Sequence, residues 1–167
     1  NNISMGVAIT SILPKKEITF QELQGKKVAV DASNVIYQFL ASIRQPDGTP
    51  LMDNNGNITS HLVGLASRVS NLMEKNIKLA FVFDGKPPEL KFEESQRRRE
   101  LKEKAQEKYD EAKEEDNKEN MFKYSRQTIK LTKEIKEESK EFIKALGIPV
   151  IQAPSEGEAQ AAYMVKK

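Results

Sequence analysis

Carboxylates follow three short apolar runs of the chain, at positions that could support metal-dependent chemistry. The runs are Lys26–Asp31, Leu79–Asp84 and Ile148–Ile151, and the third leads to Glu156 and Glu158. Near-continuous runs of Val, Ile, Ala and Phe are typical of parallel strands covered on both faces, and ligands collect beyond the carboxyl ends of such strands. Carboxylates gathered there would repel one another unless a divalent cation such as Mg²⁺ neutralised them. The pattern therefore predicts metal-assisted phosphate chemistry.

The composition narrows the kind of metal site and partner. The chain has 167 residues, no cysteine and one histidine, His61. Disulfides, thiol catalysis and thiolate or multi-histidine zinc sites are therefore excluded, and a metal would be held by oxygen. Because 27 basic residues face 25 acidic ones, the net charge is only +2. Any affinity for nucleic acid must come from local clusters of charge rather than from a global field.

The length and the termini set expectations about domain count and location. The length predicts one domain or part of one. Residues 1–4 precede Met5 and Gly6, and we expect them to be an appended remnant before the natural start. No apolar stretch approaches the roughly 18 residues that span a membrane, and the N-terminus lacks a secretory signal. We expect an intracellular protein with no membrane partner.

The elements that must position the carboxylates can be read from spacing and turn chemistry. Ser33 or Asn34 is expected to cap a helix directly after the first strand. Turn residues then accumulate over 46–57, which predicts a loop or irregular hairpin. Thr59 or Ser60 begins a second helix that leads into the second strand, and Gly147 ends a later helix before the third strand. Strands alternating with helices predict an α/β fold with a mainly parallel sheet.

A highly charged helical segment is inserted after the second strand. Residues 91–130 have helix-forming composition with few large apolar side chains, and the most basic piece is Arg97–Arg99 flanked by Lys91 and Lys102. For a charge-rich helix of this kind a solvated helical pair is the simpler interpretation. We expect the segment to form helices that project from the body and are mobile without a ligand.

The carboxylates also have structural explanations. A single Asp at a strand end is usually a turn or capping residue, so only the joint occurrence of Asp31 and Asp84 favours a metal. Ser155 and Glu158 match a capping box, in which Ser155 caps a helix and Glu158 returns to its amide. Glu156 would favour the positive end of the same helix. From local sequence, capping and metal binding by the two glutamates stay equally open.

Four other residues have simple structural interpretations. His61 is expected to be a polar or partly buried helix residue, because no second histidine could join it as a metal ligand. Tyr37 reads as a core aromatic, with stacking on a nucleotide base as the alternative. Arg44 and Arg68 would ordinarily be surface residues.

Several blocks of the sequence, in order, resemble one family. They include Val28–Asn34, Ile36–Leu40, Thr59–Leu62, Val82–Pro88 and Ala153–Ala159. These blocks look like the N-terminal and internal motifs of flap endonucleases. The similarity covers nearly everything from Met5 onward, and residues 46–53 are most similar to archaeal members, which would place the protein in the cytoplasm.

The resemblance implies a structure-specific, magnesium-dependent nuclease that removes 5′ single-stranded flaps from branched DNA in replication and repair. Its fold would be a PIN-like 5′-nuclease core with the charged segment as a helical arch, and two Mg²⁺ ions would bind in the full-length protein. The metal ligands would match Asp31, Asp84, Glu156 and Glu158. The catalytic set would comprise Lys91, Arg98, Asp84 and Glu156. The DNA-binding residues would match Gly6, Tyr37, Arg44, Arg68, Lys91 and Arg98.

The chain departs from the family in extent. Family members run to about twice this length and carry further acidic residues, a helix-hairpin-helix and a sliding-clamp motif that are absent here. We divide residues 5–167 into an N-terminal nuclease block (5–90), the arch (91–130) and the start of an internal nuclease block (131–167). We expect little or no nuclease activity from this part alone. An incomplete sheet would leave an unpaired edge and uncovered helix faces, so self-association is also expected.

Two other functions remain alternatives. The chain could bind nucleic acid, or complement a missing half, without catalysis, and would then bind flaps with steep salt dependence but no turnover. In a purely structural interpretation, the carboxylates are turn and cap residues, and the charged helices form an interaction arm.

Overall fold

Three parallel strands form the sheet in the computed structural model, which describes residues 17–86 and 92–166. They are β1 (Lys27–Asp31), β2 (Lys78–Phe83) and β3 (Val150–Gln152), in the spatial order β1-β2-β3. Asp31 lies opposite Val82, and Phe83 lies opposite Gln152. The predicted parallel α/β sheet is confirmed. Within the third apolar run, β3 begins only after Pro149, which has no amide to donate to a ladder.

Six helices flank this sheet within the described residues. Their bounds are α1 (Ala32–Ser42), α2 (Ser60–Glu74), α3 (Phe92–Glu114), α4 (Lys118–Ser125), α5 (Lys133–Ala145) and α6 (Gly157–Val165). None of them combines the length and the apolar character that crossing a membrane requires. As predicted, α2 follows Thr59, and Gly147, with φ +74°, follows the end of α5.

The core lies where the helices meet the sheet. Phe81 and Phe83 of the central strand β2 are almost completely buried, and Ile36 of α1, Leu65 of α2 and Ile143 of α5 have no exposed surface. Burying side chains of this size stabilises a fold by about 1.5–3 kcal/mol each. The apolar spacing that predicted these helices therefore corresponds to the faces that cover the sheet.

His61 differs from expectation because it is fully buried rather than partly exposed. Its Nε2 lies 3.1 Å from Oε2 of Glu138, so the side chain joins α2 to α5. Nδ1 has no hydrogen-bond partner among the described residues. Burial lowers the pKa of His61, against the opposing effect of the Glu138 carboxylate. Above pH 6.5 the imidazole is therefore neutral, and its contact with the Glu138 carboxylate requires that Nε2 carry the proton and donate it.

Two connections bear on the site. Between α1 and α2 the chain forms an irregular hairpin, as predicted, with antiparallel bridges from Arg44 to Pro50 and from Met52 to Ile58. After β2, α3 and α4 form a helical hairpin in which Ala105, Ala112 and Met121 are buried. Both helices lie within the predicted arch, 91–130, and α5 begins just after it at Lys133. The described part of the inserted helical segment is therefore packed through a few buried side chains and not through a large apolar face.

Candidate metal and nucleic-acid site

Asp31 ends β1 and also caps α1. Its Oδ1 accepts a hydrogen bond of 3.1 Å from the amide of Asn34, and α1 begins at the next residue, Ala32. The expectation that Ser33 or Asn34 caps this helix was wrong, because the last residue of the strand already supplies the acceptor. The positive end of the helix dipole stabilises a carboxylate at this position. The turn from β1 to α1 therefore fixes Asp31 at the carboxyl edge of the sheet.

Asp84 follows β2 and is fixed by a helix from a distant part of the chain. Its Oδ1 accepts a 2.8 Å hydrogen bond from the amide of Gly157, the first residue of α6. A Cβ atom at position 157 would lie 3.0 Å from this oxygen, so glycine leaves room for the carboxylate. Asp84 thus supplies the acceptor that the N-terminus of α6 lacks locally.

The predicted capping box at Ser155 does not form. Glu156 occupies the N-cap position of α6 without a side-chain capping bond, and Ser155 Oγ instead donates to the carbonyl of Lys86 at 3.1 Å. Gln152 Nε2 donates to the carbonyl of Asp84 at 2.6 Å. These bonds tie the segment before α6 to the end of β2. The capping interpretation therefore fails for Ser155, and Glu158, in the first turn of α6, is exposed.

The carboxylates occupy one edge of the sheet but are not packed into one cluster. In parallel strands the carboxyl ends lie together, which places Asp31 and Asp84 at the same edge, and the bond from Gly157 to Asp84 brings the N-cap residue Glu156 to that edge as well. Over the described ranges, no three Asp, Glu, His or Cys residues are grouped so that they could hold a metal ion. The donors are all carboxylates, the ligand type that Mg²⁺ takes, and Mg²⁺ commonly uses only one or two of them with water and substrate phosphates. The donor chemistry therefore fits a hard cation.

Basic residues of the helical hairpin, together with Arg44, lie near Tyr37. Lys102 Nζ of α3 lies 5.9 Å from the centre of the Tyr37 ring. Burial raises the pKa of the Tyr37 hydroxyl, while Arg44, Arg98 and Arg126 act in the opposite direction. Tyr37 is half-buried and packs against the core, as expected for a core aromatic. It lies six residues after Asp31 on α1, or about 9 Å along the helix axis.

A cavity of about 490 Å³ opens beside these cations. It is lined by Arg98, Arg99, Lys102, Glu103 and Lys130. The one acidic residue, Glu103, pairs with Arg99 at 3.2 Å. Burial and the neighbouring cations Lys130 and Arg98 lower the pKa of Lys102. Cations crowded in this way favour the arrival of an anion, and phosphate is the anion that basic clusters commonly bind.

Arg44 is engaged by the main chain. Its Nε donates to the carbonyl of Leu40 at 2.8 Å and its Nη1 to the carbonyl of Gly48 at 2.6 Å. Burial, and then the nearby Arg126, lower the pKa of its guanidinium. Arg68 lies exposed on α2. Gly6, Lys91 and residues 1–4 lie outside the described residues.

Sequence reasoning missed two members of the basic cluster. Lys130 lines the cavity, and the Nε atom of Arg126 is buried without a hydrogen-bond partner among the described residues. Arg98 and Lys102 stand four residues apart on α3, a spacing that places them on one face and could have indicated the cluster. Lys130 and Arg126 lie beyond α4 and carry no such local signal.

The chain is similar in sequence to known nucleases. Residues 5–105 match the XPG N-terminal domain. Flap endonuclease 1 of Pyrococcus horikoshii is 55% identical over 163 residues, covering 98% of this chain and 48% of that protein. Flap endonuclease 1 of Saccharolobus solfataricus is 54% identical over 152 residues, covering 91% and 44%. The chain thus spans about half the length of the curated relatives it matches.

Solved structures of nucleases are similar to this chain as well. Flap endonuclease-1 from Methanococcus jannaschii has a TM-score of 0.68 and 45% identity, covering 96% of this chain and 51% of that one. Human GEN1 in complex with Holliday junction DNA has a TM-score of 0.58 and 27% identity, covering 95% and 33%. The catalytic core of Rad2 in complex with a DNA substrate has a TM-score of 0.56 and 29% identity, covering 88% and 37%. The similarity to flap endonucleases predicted from the sequence is confirmed, and the chain belongs to the XPG N-terminal domain family.

Proposed function

We propose that this chain is the N-terminal part of a structure-specific 5′ nuclease that cuts 5′ flaps from branched DNA in replication and repair by magnesium-dependent phosphodiester hydrolysis. One observation carries the proposal. A carboxylate edge, with Asp31 and Asp84 fixed by helix N-termini, lies about 9 Å along α1 from Tyr37, which has cations of the inserted hairpin nearby. Metal-dependent hydrolysis of a phosphodiester uses both a hard-metal site and a site for the anionic backbone.

Four carboxylates would hold the metal: Asp31, Asp84, Glu156 and Glu158. Bound Mg²⁺, as two ions in the full-length protein, would supply Lewis-acid stabilisation of the transferring phosphate and a more acidic water. Asp84 keeps one oxygen on Gly157, so its orientation is set before any ion binds. The pair Asp84 and Glu156 is proposed as catalytic through this role.

The basic residues would bind and orient the DNA strand. Arg98 lines the cation-rich cavity, and with Lys91 it would contact the phosphate to be cut and offset its developing charge. Tyr37 offers a ring face beside this cavity, and in the structure the ammonium group of Lys102 lies over that face. A nucleotide stacking there would exchange one cation–π contact for base stacking, which contributes about 1–3 kcal/mol. Gly6, Arg44 and Arg68 complete the proposed DNA-binding set.

The arrangement of the parent protein is also a proposal. Residues 5–90 would form the first nuclease block, 91–130 the arch and 131–167 the beginning of the second block. A sliding clamp would be a partner of the parent protein, and self-association would be a property of this part. Cleavage by this part alone would be weak or absent, since other family carboxylates would complete the site.

A second candidate function is binding of nucleic acid without catalysis, or complementation by the other half. The cation-rich cavity favours it, because phosphate binding there requires no metal. The two functions differ in one measurable property, which is turnover of a bound flap.

The test uses a fluorescently labelled 5′-flap DNA with Mg²⁺, the native chain and the Asp84→Asn variant. Asn keeps an oxygen that can accept from the Gly157 amide but removes the charge, so α6 stays capped while metal binding weakens. Glu74→Gln, at the exposed end of α2, is the control for loss of one negative charge. We expect flap binding by all three proteins, and any cleavage should be lost only in Asp84→Asn.

Two results would count against the proposal. Failure of the native chain to bind flap DNA in anisotropy measurements at low salt would remove both candidate functions. Cleavage that persists in Asp84→Asn would remove the proposed metal site while leaving a nuclease. Binding without turnover, even when Mg²⁺ is in excess, is the result that both candidate functions allow for this part alone, whereas turnover that Asp84→Asn abolishes would exclude the non-catalytic alternative.

A further inference from the structure

The loop formed by residues 44–50 contacts the helical hairpin at a single glycine. Gly48 is buried, with φ +84°. A Cβ atom built at this position would lie 2.7 Å from the Cα of Phe122 and 2.7 Å from Ser125 Oγ. Both of these residues belong to α4. The backbone of α4 therefore rests directly on Gly48, at a separation that no other residue type would allow.

The 44–50 loop is held rigid from within. Arg44 bridges the carbonyls of Leu40 and Gly48, which fastens the tip of the loop to the end of α1. Asp47 Oδ1 accepts from the amide of Thr49 at 2.9 Å and from its hydroxyl at 2.7 Å. The amide of Gln45 donates to the carbonyl of Thr49 at 2.9 Å. The loop therefore presents Gly48 in one fixed position.

The surface of α4 that Gly48 contacts is also fixed by burial and hydrogen bonding. Ser125 is almost fully buried, and its hydroxyl donates to the carbonyl of Phe122 at 2.9 Å. Tyr109 of α3 lies near the same loop: burial and then the Asp47 carboxylate raise the pKa of its hydroxyl, while Arg44 lowers it. The loop thus contacts α4 and lies near Tyr109 of α3.

We infer that Gly48 is a positioning residue, which seats the α3–α4 hairpin on the body of the protein through the 44–50 loop. Few other apolar side chains could anchor the hairpin. Among its described residues, the buried apolar side chains are Ala105, Ala112 and Met121. Seating at Gly48 fixes where the cations of α3 stand relative to Tyr37. That this also places the arch over the nuclease site rests on the proposed function, whereas the seating itself does not.

The chain supplies a matched control for this contact. Gly56 has the same φ of +84° in the neighbouring turn, but a Cβ atom there would meet nothing within 4 Å. Alanine at either position suffers the same backbone strain of a positive φ. Only Gly48→Ala would also push against the backbone of α4. The difference between Gly48→Ala and Gly56→Ala therefore isolates the seating contact from the strain.

Hydrogen–deuterium exchange of the full chain, without DNA or metal, tests the inference. We expect amides of α3 and α4 to exchange about tenfold faster or more in Gly48→Ala than in Gly56→Ala, because the hairpin opens locally. Amides of β2 should exchange equally in both. A general loss of stability would instead accelerate β2 together with the hairpin. Equal hairpin exchange in the two variants would overturn the inference.

Arg44→Lys provides a second, independent test that leaves Gly48 in place. A single ammonium cannot reproduce the planar fork that bridges two carbonyls, so the loop loses its fixed tip while its charge is kept. Faster exchange in α3 and α4, with β2 unchanged, is the expected result. Unchanged hairpin protection in Arg44→Lys would contradict the proposed role of the loop, and this variant decides the matter if Gly48→Ala does not fold.

Discussion

At the scale of single residues, two aspartates serve the fold and the proposed site together. Asp31 and Asp84 each give one oxygen to a main-chain amide at a helix N-terminus. Within the described ranges neither forms an ion pair with a basic side chain. The structural and metal-binding interpretations of these residues are therefore not exclusive, because a carboxylate has a second oxygen to offer.

The two roles of Asp31 can be separated by substitution. Asp31→Ala removes the cap of α1 and is expected to lower the free energy of unfolding by about 1 kcal/mol, within a range of about 0.5–2. Asp31→Asn keeps an equally good cap and should change it little, while still removing the charge of a proposed metal ligand. Urea unfolding of the three proteins without metal measures this. Equal losses for Ala and Asn would show that charge, and not the capping bond, supplies the stabilisation.

The sequence was most informative about residues with a local signal. Asp31 and Asp84 were predicted from the ends of their apolar runs, and the strands before them were found where expected. The bond from Gly157 to Asp84 joins residues 73 positions apart, and no local pattern announces it. Ser155 was mistaken for a cap for the same reason, since a carboxylate from another strand already occupied that place.

At the scale of elements, composition predicted the helices better than their contacts. The helical character of residues 92–114 follows from residue type, but the hairpin has too few large apolar side chains to show which face is covered. One of its contacts with the body is made by a glycine and a backbone, which have no apolar pattern. The α2–α5 contact through His61 was likewise missed, because a lone histidine gives no indication of its partner.

The His61 contact between α2 and α5 predicts a specific pH dependence of stability. Burial lowers the pKa of folded His61 below its usual 6.5, so the unfolded chain binds more protons once the pH falls below about 6.5. The contribution of neutral His61 to the free energy of unfolding is fully present above pH 6.5. It is lost as the pH falls from 6.5 toward the pKa of His61 in the folded protein. Its slope is at most about 1.4 kcal/mol per pH unit.

His61→Gln is the appropriate comparison, because its amide can still donate to Glu138 but does not titrate. Unfolding free energies of both proteins between pH 7.5 and pH 5, measured with urea, should diverge as the pH falls, with the native chain losing more. Carboxylates elsewhere contribute equally to the pH dependence of both proteins, so their contributions cancel in the difference between the two unfolding free energies. Parallel pH profiles would mean that His61 titrates normally and is not protected by its burial.

At the scale of the whole molecule, charge is nearly balanced but unevenly placed. A net charge of +2 gives no general attraction to DNA, whereas the cavity beside Tyr37 is lined by four cations and one acid. The sequence predicted that any affinity must be local, and it identified the basic part of α3. It did not predict Lys130, which reaches the cavity only because the chain returns there after α4.

The uneven charge leads to a prediction about DNA binding by the whole chain. Replacing Lys102 and Lys130 together by Gln should weaken binding of a 5′-flap DNA without Mg²⁺. It should also reduce the slope of log affinity against log salt concentration by about 0.7–0.9 for each phosphate contact removed. Lys144→Gln removes a charge from the last turn of α5, outside the cavity lining, and should leave the slope nearly unchanged. Titrations by fluorescence anisotropy between about 50 and 200 mM salt cover the range in which such contacts change affinity most.

An equal reduction of the slope by the cavity variant and the α5 variant would mean that DNA is held by diffuse charge and not at the cavity. The proposed binding of the DNA strand at the cavity beside Tyr37 would then be wrong, even if the carboxylate edge were correctly assigned.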